Sequence, residues 1–151
     1  MLAKELAALP ISRVFVSALT CQNLDEHSRV HTTDVRLLRR IVRDYQVRGV
    51  KPSETLHMWQ DVRAGEERWI FPYQENADSV FNTMVLYEIP LLRSIAYPLL
   101  MDESCKHHPL ARRLLALLDC YSDFDQSKLD EVPPLSLIRE FIGGCTAEKR
   151  D

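Results

Sequence analysis

The sequence predicts a helix-rich α/β fold, with few strands, built as a single unit over residues 1–151. Three observations predict it. Short β-branched and aromatic runs at Arg13 to Ala18 and Asp78 to Leu86 have the residue types of strands. The segments around them carry apolar residues at helical spacing. A hydrophobic content of 46% over this length is enough for one core.

Taken in order, Leu2 to Leu9 has the pattern of one or two helical turns that Pro10 ends. The first strand, Arg13 to Ala18, leads into a polar, aperiodic loop, Cys21 to Thr32. Thr33 to Gly49 then reads as a long helix, with Thr33 or Asp34 able to cap it and Gly49 followed by Pro52 as its stop signal. A further helix is expected from Pro52 or Ser53 to about Gly65, with Ser53 as N-cap and Leu56, Trp59 and Val62 as its stripe. Arg63, Glu66, Glu67 and Arg68 read as a charged link to WIFPY, Trp69 to Tyr73, an anchored turn whose aromatics are expected to pack.

Beyond the second strand, Tyr87 to Leu100 is an apolar helix that Pro98 must kink or shorten. Asp102 to His108 is a polar loop, and Pro109 to Cys120 is a leucine-rich helix with Arg112 and Arg113 on its solvated side. Asp123 to Pro134 is an acidic connector, and Ser136 to Ile142 is a last short helix ended by Gly143 and Gly144.

Thr33 to Gly49, TDVRLLRRIVRDYQVRG, is the segment that carries chemistry. It holds five arginines and no lysine. At about 100° per residue, Arg36, Arg39, Arg40 and Arg43 fall within an arc of roughly 100°, and Val35, Leu37, Leu38, Ile41, Val42 and Tyr45 cover the opposite side. Guanidinium forks match phosphate oxygens in a way that the lysine point charge does not. One reading is therefore a polyphosphate site. The other is a solvated amphipathic helix whose arginines are screened by Asp34, Asp44 and distant carboxylates.

Within this helix, RRIVRDYQVRG at Arg39 to Gly49 resembles the RR-x-x-RD-x-x-x-RG signature of the lid helix in the uridine kinase and phosphoribulokinase family of P-loop kinases. The similarity continues through VFVSALT at Val14 to Thr20, NLDEHSRVHTTD at Asn23 to Asp34, RAGEERWIFPYQENADSVFNT at Arg63 to Thr83, and PPLSLIREFIGG at Pro133 to Gly144. His31 stands where that family often has proline. The resemblance implies a partial P-loop kinase fold: the lid helix and C-terminal part of an ATP-dependent nucleoside kinase, similar to a bacterial uridine kinase. It implies ATP and Mg²⁺ as the cofactors of the complete enzyme and a nucleoside as its substrate. It also places Arg39, Arg40, Arg43 and Arg48, with Arg36 in some branches, on the ATP phosphates. Arg48 lies at about 120° on the helical wheel, so its alternative role is to brace the helix end.

The kinase element GxxxxGK[ST] is absent: the four glycines are Gly49, Gly65, Gly143 and Gly144, and none opens such a loop. The chain alone is therefore expected to be inactive, and no catalytic residue is assigned. The alternative is a non-catalytic helical domain that associates through exposed leucine-rich helices, Tyr87 to Leu100 and Pro109 to Cys120, by self-association or by pairing with the missing half of the kinase.

The net charge is −3 although the arginine segment carries +3, so the rest of the chain carries −6. This asymmetry favours a local anion site over a nucleic-acid surface. No apolar run of about 18 residues exists to span a bilayer, and the N-terminus lacks a signal-peptide pattern, so a cytoplasmic location without membrane contact is expected. Cys21, Cys105, Cys120 and Cys145 include no CxxC pair, His27 and His31 lie at i and i+4 but in a segment read as loop, and His107 and His108 are adjacent, so reduced structural thiols and no metal site are expected.

Overall fold

The computed structural model describes residues 11–124 and 126–146, so the turns expected at Leu2 to Leu9 lie outside the described residues. Two strands, β1 (Val14–Ser17) and β2 (Ser79–Asn82), pair in parallel, with Val14 opposite Ser79 and Ser17 opposite Asn82. Parallel strands need a crossover. Here it consists of α1 (Thr32–Arg48), α2 (Pro52–Trp69) and a 3₁₀ turn at Phe71–Asn76. The chain then continues through α3 (Glu88–Leu100), α4 (Pro109–Asp119), a 3₁₀ turn at Gln126–Glu131 and α5 (Arg139–Ile142). The result is a helix-rich α/β arrangement with one small parallel sheet.

Both strands are shorter than the sequence runs that announce them. β2 stops at Asn82 because that side chain takes over from the ladder. Its Oδ1 accepts the Leu19 N–H at 2.9 Å and the Met84 N–H at 3.0 Å, while its Nδ2 donates to the Leu19 carbonyl at 2.9 Å. At the other end, Asp78 Oδ2 accepts the Arg13 N–H at 2.7 Å and closes the start of the sheet.

Helix α1 begins one residue before its expected caps. His31 is the N-cap, without a side-chain hydrogen bond, and neither Thr33 nor Asp34 caps the helix. Asp34 favours the first turn through the helix dipole, but its carboxylate is taken by Arg113 of α4, with Nε at 3.0 Å and Nη2 at 2.9 Å. Arg113 is therefore tied across the bundle rather than merely solvated. At the far end, Gly49 adopts φ 66°, and Val50 N–H joins Gly49 N–H on the Asp44 carbonyl. A side chain is strained at this left-handed position, which is why glycine marks the stop.

Helix α2 overturns two expectations. Lys51, not Ser53, is its N-cap, and the helix runs through Gly65 to Trp69. A mid-helix glycine costs about 1 kcal/mol relative to alanine. The expected charged link offsets it as part of the helix: Arg63 reaches Glu67 at 2.8 Å, and Glu66 is held by Arg36 of α1 at 2.5 Å. WIFPY is likewise not packed away. Trp69, Ile70 and Tyr73 are exposed, and only Phe71 is half-covered, with the guanidiniums of Arg36 and Arg63 each 5.7 Å from its ring centre.

Helix α3 neither stops nor breaks at Pro98; it continues to Leu100, because the proline sits in the last turn, where it removes only its own N–H bond. α5 is shorter than expected, since Leu137 and Ile138 form a turn before it. Arg139 ties this end together by donating to the Leu129 carbonyl at 3.2 Å and to the Val132 carbonyl.

The core joins Leu37, Leu38 and Ile41 of α1 to Leu91, Leu92 and Leu100 of α3 and to Leu114 and Leu118 of α4. These leucines are buried, so the expected exposed leucine-rich surface on α3 and α4 is overturned: their stripes are the core itself. Exposed apolar residues do lie on the sheet. In a parallel pair, directly opposed residues share a face, which puts Val14, Val16 and Phe81 together, 53%, 59% and 54% exposed. Among the described residues no helix is long and apolar enough to cross a membrane.

The core predicts a stability contrast on a single helix. Leu38→Ala, at a fully buried position, is expected to lower the free energy of unfolding by about 2–5 kcal/mol. Val47→Ala, at an exposed position on the same helix, is expected to stay within about 0.5 kcal/mol. Urea denaturation of the two variants beside the parent checks both.

Candidate functional site

The apolar side of α1 is pinned to α3 and α4, which fixes where its other side points. That side faces the carboxyl ends of β1 and β2, the location where α/β folds gather ligands. A cavity of about 310 Å³ lies there. Arg36, Arg39, Arg40 and Arg43 form one wall, and Ser17, Ala18 and Thr83 at the strand ends form another. Trp59, Val62 and Phe141 supply apolar surface, and Glu66 and the exposed Glu140 are its acidic members. Four of the five arginines singled out in the sequence thus converge on one pocket, and Arg48 does not.

Their hydrogen bonds divide them. Arg39 is a structural clamp: Nε donates to Glu88 Oε1 at 2.9 Å, Nη2 bonds Glu88 Oε2, Nη1 donates to Thr83 Oγ1 at 3.1 Å, and Nη2 also donates to the Thr83 carbonyl at 2.7 Å. Glu88 is 0% exposed and also accepts the Val85 N–H at 2.9 Å. The pair therefore joins α1, the exit of β2 and the start of α3. Arg39 also lies over the Phe141 ring at 5.4 Å. Arg36 is paired with Glu66 and lies beside Phe71.

Arg40 and Arg48 share Asp44, which is 1% exposed. Arg40 Nε lies 3.2 Å from Oδ2, and Arg48 Nη1 lies 3.0 Å from Oδ1. Thr55 of α2 approaches Oδ2 at 3.5 Å. Arg48 therefore braces the end of α1, as its wheel angle allows. The Arg40 contact is an ion pair without an aligned hydrogen bond, so its buried Nε–H has no acceptor among the described residues. Arg43 has neither an ion-pair partner nor a hydrogen bond among the described residues, and its Nε–H is also buried and unpaired.

In charge, the five guanidiniums of α1 share three buried carboxylates, Glu66, Glu88 and Asp44, which leaves an excess of two positive charges. Glu140 at the rim returns one negative charge. An unpaired buried N–H costs about 1–3 kcal/mol, and more when it belongs to a charged group. The pocket is therefore suited to an anion that accepts from Arg40 and Arg43.

Two kinds of residue at this site carried no signal in the sequence reading. Ser17 and Thr83 become visible only once the strands pair and end together. Glu88 sits in an apolar helix start, where nothing local marks it as the partner of Arg39, 49 residues away. Among the described residues, no three His, Cys, Asp or Glu side chains gather as a metal-ligand set.

Fold and pocket together define a helix-rich α/β protein with a cationic pocket at the carboxyl ends of a parallel strand pair. No family model, no curated protein and no solved structure matches the chain.

Opposite outcomes are expected for neighbouring arginines of the pocket. Arg39→Ala strands Glu88 as a buried charge without its partner and is expected to cost about 3–5 kcal/mol of stability. Arg43→Ala breaks no pair and removes a buried Nε–H that has no acceptor among the described residues, so it is expected not to lower stability. Thermal unfolding of both variants is the check, and equal losses would contradict the division between clamp and free cation.

Proposed function

We propose that the arginine pocket binds the phosphate chain of a nucleotide, ATP, and that the chain is the lid and C-terminal portion of an ATP-dependent nucleoside kinase resembling uridine kinase. The observation that carries this reading is the pair of buried, acceptor-less Nε–H groups of Arg40 and Arg43 in a pocket with excess positive charge. The resemblance of Arg39 to Gly49 to a lid helix supports it from the sequence side. A cavity of about 310 Å³ is at the small end for a whole ligand. It suits the phosphate end, with base and sugar outside.

In phosphoryl transfer, guanidiniums act by placing the phosphate chain and stabilising charge on the transferring group. Arg40 and Arg43 are the groups of this chain able to do so, and Arg36 and Arg39 hold the wall that carries them. The pocket does not fit Mg²⁺, which favours carboxylate and water oxygens. Its buried carboxylate, Glu66, is already taken up by Arg36 and Arg63. No step of the reaction is therefore assigned to a metal at this pocket. In the complete enzyme, transfer to a nucleoside hydroxyl also requires a phosphate-cradling loop of the GxxxxGK[ST] type.

A second reading, compatible with the first, is association through the sheet. Parallel sheets occur almost only with both faces covered, and two strands alone are marginal. The exposed Val14, Val16 and Phe81 favour pairing with a further part of a kinase, or self-association in its absence.

Two measurements check these readings. The pure chain is expected to bind ATP with an affinity that falls between low and high salt, because arginine–phosphate attraction across solvent is screened within about 8 Å at physiological ionic strength. It is also expected to give no turnover with ATP and uridine or cytidine; salt-independent binding or robust turnover would refute the assignment. Sedimentation at rising concentration is expected to show self-association that Val16→Asp abolishes. A monomer at every concentration would remove the second reading.

A further inference from the structure

The four arginines of the pocket are not equivalent as anion ligands. Arg39 has every side-chain nitrogen engaged by Glu88 and Thr83. Arg36 is committed to Glu66 and lies beside Phe71. Releasing Arg39 to a ligand would leave buried Glu88 without a cationic partner, and releasing Arg36 would leave Glu66 with only the longer 3.4 Å contact of Arg63. Arg40 differs, because its contact with Asp44, Nε to Oδ2 at 3.2 Å, is not an aligned hydrogen bond, and it makes no hydrogen bond among the described residues. Arg43 has no partner at all among the described residues. These two residues stand at i and i+3 on α1, neighbours on one helix face with about 5–6 Å between Cβ atoms.

We infer that the pocket is a diphosphate site, in which Arg40 and Arg43 each present one free guanidinium fork to one of two adjacent phosphate groups. The inference rests on the phosphate reading above and narrows it: two phosphate groups are gripped, and a third gains little because the remaining arginines are already engaged. Asp44 stands beside Arg40 as a counter-ion without an aligned hydrogen bond, which leaves the Arg40 guanidinium for the ligand. Arg48, on the other oxygen of Asp44, keeps that carboxylate compensated when Arg40 turns toward an anion.

The test is calorimetric titration of the full chain with inorganic phosphate, pyrophosphate and tripolyphosphate at one fixed ionic strength. Pyrophosphate is expected to bind about tenfold or more tightly than phosphate, the gain of a second charge-assisted fork. Tripolyphosphate is expected to match pyrophosphate within about threefold, although it carries more charge. Arg43→Ala, which breaks no ion pair, is expected to bring pyrophosphate down to the level of phosphate without lowering the melting temperature. Arg40→Ala is expected to do the same to the binding. An equal rise in affinity at every added phosphate would show that total charge alone governs binding and would overturn the inference. Equal affinity for phosphate and pyrophosphate would overturn it as well, leaving one fork in use. Absence of binding by all three anions would overturn it together with the phosphate reading, an outcome distinct from the other two.

Discussion

The buried pair of Arg39 and Glu88 is the interaction on which the remaining architecture depends. Glu88 has no solvent to fall back on, and its carboxylate is satisfied by Arg39 and by the Val85 N–H. Because Arg39 also holds both the hydroxyl and the carbonyl of Thr83, the same guanidinium fixes the residue at which the chain leaves β2. Removing a partner from such a pair is expensive even where the intact pair adds little net stability. The pair therefore acts chiefly as a constraint of position. It sets the rotation of α1 over the strand ends and, with it, the direction in which Arg40 and Arg43 point.

That constraint explains how one helix face performs two tasks. Its arginines were open to two readings, a phosphate site or a charged face screened by carboxylates, and the structure distributes both among them. Arg36, Arg39 and Arg48 have carboxylate partners, which is the screening reading, though Glu66 and Glu88 come from α2 and α3 rather than from the helix itself. Arg43 has none among the described residues, and Arg40 only a partial one. A cationic pocket built in this way keeps its shape without ligand, because the clamps bear the structural demand and the free forks bear none.

How much was legible in the sequence follows the range of the forces involved. The amphipathic split of α1 is local, and Leu37, Leu38 and Ile41 lie on the buried side as their spacing requires, while Tyr45, expected on that side, is exposed near the helix end. The stop at Gly49 is also local, a left-handed backbone position. The extension of α2 past Gly65 was not legible, since it depends on Glu66 meeting Arg36 30 residues away. The exposure of Trp69 and Tyr73 was hidden for the opposite reason. Aromatic composition implies burial only where another layer supplies the contacts, and among the described residues none covers them. At the site itself, arginine spacing identified the four pocket residues and set Arg48 apart in angle. Which of the four are free was decided by distant carboxylates that no spacing rule reveals.

The central claim is that Arg40 and Arg43 are free to grip a polyphosphate while Arg39 is not. Side-chain NMR of the arginine Nε–H groups during addition of tripolyphosphate reports on each residue by itself. The account predicts that the Arg40 and Arg43 resonances shift together and saturably, while that of Arg39, held by Glu88, stays in place. Movement of the Arg39 resonance with those of Arg40 and Arg43 unchanged, or no movement of any of them, would contradict it.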